Sequence, residues 1–195
     1  LLPERKTHSI AVLELSSFQL ERTRGLNASV ATCLNMTSDH LDWHGSMTAY
    51  HRAKHRIFEG VKAIVVNAED PLSQPLVPDN TSSIRFSLQN PDFARFGVLI
   101  HDNEKWIGLG SDPWMPLADL PARGRHVVQN TMAAFAVCQL LGVKKAISCD
   151  VARKFRGLPY RAQECKPVCG VRFINDSKGT NVGASKAAMK SADPA

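Results

Sequence analysis

Residues 28–67, ASVATCLNMTSDHLDWHGSMTAYHRAKHRIFEGVKAIVVN, decide the fold class. Two short apolar runs, ASVATCLN at 28–35 and AIVVN at 63–67, flank an amphipathic helical stretch at 47–58. Neither run alternates apolar with polar, as a half-exposed strand would. The pattern predicts strands buried on both faces and joined by a crossover helix, hence parallel neighbours in an α/β sheet. Ser46 is placed to cap the helix. At about 100° per residue, Met47, Tyr50, Ile57 and Phe58 share one face with Lys54 in its middle, while His51, Arg52, His55 and Arg56 point elsewhere. A buried ammonium is costly unless it is paired, neutralised or chemically modified. Periodicity alone favours a lysine whose stem covers apolar surface while its head reaches water.

Upstream, SIAVLEL at 9–15 is a nearly continuous apolar run containing Glu14, and it predicts another strand buried on both faces. A carboxylate near the C-terminal end of such a strand lies where open α/β sheets bind ligands. A purely structural Glu14 paired with an arginine is the alternative. Ser16 and Gln19 have capping-box spacing, so a helix carrying Phe18 and Leu20 follows at once. A parallel sheet delivers Glu14 and the pair Asp39/His40 to the same edge.

Downstream, 72–81 reads as loop and 83–88, 96–101 and 105–109 as shorter strands, with a hairpin turn at 101–104 that makes the sheet partly antiparallel. A short strand is expected at 115–120. Residues 127–141 predict a strong helix closed by Gly142, with Val128, Met132, Phe135 and Leu140 on its core face and Asn130 in its first turn. A second helix at 149–155, capped by Ser148, should end at Gly157, where GLP suggests a domain boundary. Beyond it a strand at 168–175, a polar loop at 176–181 and a helix from Val182 are expected. They are too few for an independent core and read as the opening of a second domain.

A hydrophobic content of 44% is ordinary for a globular protein. No apolar run approaches the roughly 20 residues of a membrane-spanning helix, and the N-terminal residues lack a signal-peptide pattern. Both ends look cut from something longer. The net charge of +6, from 24 basic and 18 acidic residues, is dispersed along the chain. That balance suits phosphorylated or carboxylated small molecules, and without an aromatic platform or zinc finger it disfavours a nucleic-acid module. Five cysteines, an odd number mostly in apolar contexts, fit reduced thiols in a cytoplasmic protein. Cys165 and Cys169 have no second pair at zinc-site spacing. No GxxxxGK[ST] phosphate loop occurs.

Five motifs stand in a fixed order: ELSSFQLE at 14–21, TSDHLD with a lysine fourteen residues after its histidine, QNTMAA, GLPYR at 157–161 and INDSKGTN at 174–181. In this order the chain resembles the Mur ligase family, and ELSSFQLE and NDSK resemble its D-glutamate-adding members more than their siblings. The resemblance implies an α/β, P-loop-type central ATPase domain at 1–156 without its phosphate loop. Its sheet is mostly parallel with an antiparallel part and has helices on both faces. The first strand and helix of a Rossmann-like C-terminal domain would follow at 157–195.

The activity implied is ATP-dependent ligation of D-glutamate to UDP-N-acetylmuramoyl-L-alanine through an acyl phosphate, by a monomer of the bacterial cytoplasm that binds no nucleic acid and enters no membrane. By resemblance Glu14, His40 and Lys54 are catalytic and hold Mg2+, with Lys54 carrying a carbamate made from CO2. Asn130, Arg161 and Asp176 contact ATP, and Ser16, Gln19, Lys178 and Thr180 lie near substrate. The chain alone is expected to be inactive. Val127, Tyr160 and Gly179 depart from the family's usual residues, which bears on the adenine-side contacts. Another amino-acid-adding Mur ligase is the nearest alternative. A metal-dependent amidohydrolase needs more histidine ligands from barrel strands than this sequence offers.

Overall fold

The computed structural model describes residues 10–122, 124–180, 182, 183, 185, 186 and 189. Ser9, which opens the first predicted strand, and Asn181, which closes the last motif, lie outside the described residues.

Six strands form one sheet in sequence order: β1 (Val30–Cys33), β2 (Ala63–Asn67), β3 (Ser82–Phe86), β4 (Arg95–His101), β5 (Glu104–Leu109) and β6 (Asp112–Pro116). The first four run parallel, and β4, β5 and β6 pair antiparallel. The turn between β4 and β5 places both Asp102 and Asn103 at positive φ, 51° and 62°. Primed hairpin turns require that conformation, and Asp and Asn tolerate it.

Helices cover both faces. On one side lie α1 (Ser17–Arg22), α2 (Leu41–His44) and α3 (Met47–His55), the last running on as a 3-10 turn, Arg56–Phe58. On the other lie α4 (Arg125–Leu140) and α5 (Lys145–Lys154). Strand β2 is buried at every position. Its Ile64 and Val66 pack with Tyr50 and Phe58 on the α3 side, and Val65 packs with Met132, Phe135 and Ala136 of α4. Alternate side chains thus serve two cores, which is why the run reads as continuously apolar.

Caps at the predicted positions are present. Ser16 Oγ accepts from the Gln19 amide while Gln19 Oε1 accepts from the Ser16 amide, a complete capping box on α1. Ser46 Oγ accepts from the Ala49 amide at the start of α3. Gly142, at φ 73°, follows the end of α4.

Four expectations fail. The run 10–15 forms no strand, and Val12 is 90% exposed. Apolar sequence predicts burial, but a strand exists only where a neighbour supplies ladder hydrogen bonds, and among the described residues β1 pairs on one side alone. The strand expected at 115–120 lies earlier, at Asp112–Pro116, and its continuation is a 3-10 turn, Leu117–Asp119. Pro113 and Pro116 are tolerated because β6 is an edge strand.

Helix α5 starts at Lys145, a turn before the expected cap. Ser148 is buried within it and its Oγ has no hydrogen-bond partner among the described residues. Burying Cys149 against Trp114 outweighs the capping tendency of a serine. Finally, 168–175 is not one strand. Only β8 (Ile174–Asn175) pairs, antiparallel with β7 (Gln163–Glu164), and Val168 bridges Val171 around Cys169 and Gly170, both at positive φ. The described residues among 182–189 are helical.

Candidate functional site

The C-terminal ends of β1 and β2 carry the loop that holds Asp39 and His40. One side chain from the end of β2 and one from the turn after it fasten it. Asn67 Nδ2 donates to the Leu34 carbonyl at 2.8 Å, and Asp70 Oδ2 accepts from the Met36 amide at 2.6 Å. The other Asp70 oxygen accepts from the Leu72 amide at 3.1 Å, so one carboxylate joins two loops. Met36 and Asn67 are buried. An unmade bond to a buried amide costs about 1–3 kcal/mol, more when the lost acceptor is charged. Asp70→Ala is therefore expected to lower unfolding stability by about 2–3 kcal/mol, against a smaller loss for Asp70→Asn, both read from urea denaturation.

His40 sits at φ 51° in the left-handed region, its backbone N–H donating to Asp39 Oδ1 at 3.0 Å and its Nε2 3.7 Å from Asp39 Oδ2. Phe18 of α1 packs against the His40 ring at 4.9 Å, the edge of Trp43 at 5.4 Å and His44 at 5.6 Å. His44 Nε2 is hydrogen-bonded to Ser17 Oγ at 2.9 Å. The aromatic contacts hold α1 to the His40 loop.

Charges cluster one layer deeper. Burial, the largest influence, pushes the Tyr50 hydroxyl pKa up, helped by Asp39 and Cys33. Burial likewise raises the Cys33 thiol, opposed by the positive charge of Lys54 and reinforced by Asp70. Asp39, Tyr50, Cys33, Lys54 and Asp70 are thus electrostatic neighbours. Lys54 is half-buried, and its side chain makes no hydrogen bond or ion pair among the described residues.

A cavity of about 760 Å3 lies between this loop and the C-terminal residues, lined by Thr37, Ser38 and Asp39 on one side and Gly179, Thr180, Val182, Gly183 and Ser185 on the other. Thr180 and the His40 loop therefore share one cavity. Lys178 is exposed, and its amide donates to the Tyr160 carbonyl at 3.1 Å. Asp176 Oδ1 accepts from the Ala162 amide at 2.9 Å, which ties the residue after Arg161 to the NDSK loop. Asp176 also acts on His126 in the first turn of α4. Burial pushes that imidazole down, and the Asp176 carboxylate partly opposes it. Asn130, one helical turn further on, is exposed.

Other predicted residues are less well gathered. Ser16 and Gln19 spend much of their hydrogen-bonding capacity on each other. Glu14 is exposed and does not complete a metal-binding group with Asp39 and His40, since no cluster of three His, Cys, Asp or Glu side chains suited to a metal occurs among the described residues. Sequence reasoning missed Asp70, Cys33, Tyr50 and His126. Asp70 alone had a local signal, standing before Pro71 at the end of a buried strand.

A mostly parallel sheet with helices on both faces, and polar loops at the strand ends facing a cavity, defines an α/β domain of the ligand-binding type. The chain belongs to the Mur ligase family: the model of the Mur ligase middle domain matches residues 2–138. It is 46% identical over 181 residues, 92% of this chain, to the UDP-N-acetylmuramoylalanine–D-glutamate ligase of Acinetobacter baylyi. It is 45% identical over 189 residues, 97% of this chain, to the ligase of the same name from Chromohalobacter salexigens. The chain spans 40% and 41% of the length of these curated relatives.

Among solved structures, a pseudomurein peptide ligase type C from Methanothermus fervidus matches with a TM-score of 0.69 at 19% identity, over 86% of this chain and 42% of that one. A UDP-N-acetylmuramate-alanine ligase from Thermotoga maritima matches with a TM-score of 0.65 at 20% identity, over 91% of this chain and 40% of that one. These two likenesses bear on the fold. No helix among the described residues is long and apolar enough to cross a membrane.

Proposed function

We propose that the protein containing this chain ligates D-glutamate to UDP-N-acetylmuramoyl-L-alanine with ATP, through an acyl phosphate, in the bacterial cytoplasm, acting as a monomer. The observation that carries the reading is the 46% identity, extending over 92% of the chain, with a relative named for that ligation. It is supported by the cavity that Asp39 and Thr180 line together. In this reading residues 1–156 form the central nucleotide-handling domain, and 157–195 open the domain that receives the amino acid. The positive φ of Gly157, 88°, and the exposure of nearly all residues around it fit a hinge there.

The reaction brings a carboxylate to an anionic phosphate. Unit charges about 4 Å apart repel by about 4 kcal/mol at an effective dielectric of 20. The roles we assign follow from that repulsion. Asn130, Arg161 and Asp176 contact ATP, with Asp176 held by the Ala162 amide. Lys178 and Thr180 face the reacting carboxylate and the incoming amino acid, while Ser16 and Gln19 border the same substrate from the start of α1. Lys54 carries a carbamate formed with CO2, and His40 beside Asp39 acts with it on the opposite wall.

Mg2+ accompanies ATP in this reading, assigned to Glu14, His40 and modified Lys54. Glu14 would supply a carboxylate, His40 an imidazole and a carbamate on Lys54 further oxygens to the ion, and no step is assigned to it.

The test is release of ADP by the full-length protein. We expect turnover only when UDP-N-acetylmuramoyl-L-alanine and D-glutamate are both present, with little product from L-alanine, L-lysine or D-alanyl-D-alanine. Preference for one of those acceptors would reassign the protein to another Mur ligase activity. ADP release indifferent to the UDP sugar would overturn the reading.

A further inference from the structure

One carboxylate away from the His40 loop ties three elements together. Glu69 lies just past the end of β2, and its backbone amide donates to Asn67 Oδ1 at 2.9 Å. Its Oε1 accepts from the Leu88 amide, just past β3, at 2.6 Å. Its Oε2 accepts from Gln129 Nε2 of α4 at 2.9 Å. Arg125 lies 3.9 Å from the same oxygen but is 80% exposed, so that ion pair adds little. The ends of β2 and β3 and the start of α4 thus meet on one side chain.

Helix α4 brings no anchor of its own to this junction. Its N-cap is Gly124, which makes no side-chain cap, and its first turn holds no acidic residue. A carboxylate near the start of a helix complements the dipole there. Glu69 brings that charge from the sheet and, through Gln129, fixes the rotation of the helix. Successive helical residues are about 100° apart, so holding Gln129 sets where Asn130 points. His126, four residues before Asn130 and on the same helix face, feels the Asp176 carboxylate. Asn130 and Asp176 are two of the residues that contact ATP in the proposed function.

We propose that Glu69 is a positioning residue for the nucleotide: by holding the Leu88 amide and Gln129 together, it sets the place of Asn130 at the ATP site. The inference rests on the reading of the protein as an ATP-dependent ligase. Glu69 itself acts through α4 and not by touching ATP.

Calorimetric binding of ATP to the full-length protein, together with KM for each substrate, tests it. Gln129→Ala leaves the bond from Leu88 to Glu69 intact and removes only the link to α4. It should weaken ATP about tenfold or more, the loss of one hydrogen bond to a charged group, with KM for the UDP sugar unchanged. Gln129→Glu sets two carboxylates face to face and should weaken ATP as well. Adding Glu69→Gln to it restores a donor and an acceptor between the two positions and should recover the affinity. A merely structural contact would lower the active fraction, and so kcat, without moving ATP affinity. ATP affinity unchanged in Gln129→Ala, an equal loss for the UDP sugar, or no recovery in the exchanged pair would overturn the proposal and leave the ligase reading standing. A wild type that binds no ATP would overturn that reading, and the proposal with it.

Discussion

Phe96→Ala should lower the unfolding free energy by about 3–5 kcal/mol, the range for deleting a fully buried aromatic side chain. Phe96 is 0% exposed and stands where the two halves of the sheet meet. Strand β4 pairs with β3 through only two residue pairs, Arg85–Arg95 and Phe86–Phe96, but with β5 through six. The parallel half is therefore held to the antiparallel half by side-chain packing more than by the ladder. Phe96 supplies that packing, meeting Trp114 of β6 edge-on at 4.8 Å and Phe135 of α4 at 6.1 Å.

Domain stabilities are about 5–15 kcal/mol, so a loss of this size removes a large part of the total. Urea denaturation of wild type and variant measures it. Phe96→Leu, which refills most of the space, should cost clearly less. A loss below about 1 kcal/mol for Phe96→Ala would mean that the joint collapses freely around the cavity.

Sequence legibility followed the source of each element's stability. Strand β2 was readable to the residue because both faces are buried and its composition had no other use. The helix at α3 was readable because Ser46 caps it and its apolar stripe repeats at the helical period. The run at 10–15 is as apolar as β2 but forms no strand, because composition cannot tell whether a ladder partner stands beside it. Residues 168–175 failed for a local reason: Cys169 and Gly170 take positive φ and break the run. Asp39 and Thr180, singled out from motifs, line one cavity. The carboxylate fastening the Asp39 loop, Asp70, was not singled out, since its partner Met36 is 34 positions away and bonds through a backbone amide that any residue supplies.

Lys54→Arg is the sharpest test of the proposed chemistry. Two readings of Lys54 agree with its half-buried place on α3 and its side chain's lack of a hydrogen bond or ion pair among the described residues. A snorkelling lysine contributes a stem and a positive head, both of which arginine reproduces, so the variant would keep nearly full activity. A carbamate is different in sign and shape. It forms when the neutral amine attacks CO2, creating an N–C bond and releasing one proton, and it leaves an anion where the cation stood. Arginine stays protonated and cannot follow.

The surroundings decide what the exchange would do. Lys54 offsets the influence of Asp70 on Cys33, so converting it to an anion removes the positive charge from that layer and turns the site toward cation binding. Losing a charged group that acts in the transition state typically costs about 10²–10³-fold in rate. Lys54→Arg should therefore reduce ligation by the full-length protein by about that factor, with UDP-sugar affinity little changed. Equilibration with 13C-bicarbonate should give a carbamate resonance in the wild type that is absent from Lys54→Arg. Near wild-type turnover in the variant, or no such resonance in active enzyme, would return Lys54 to the role of a side chain covering the face of its helix.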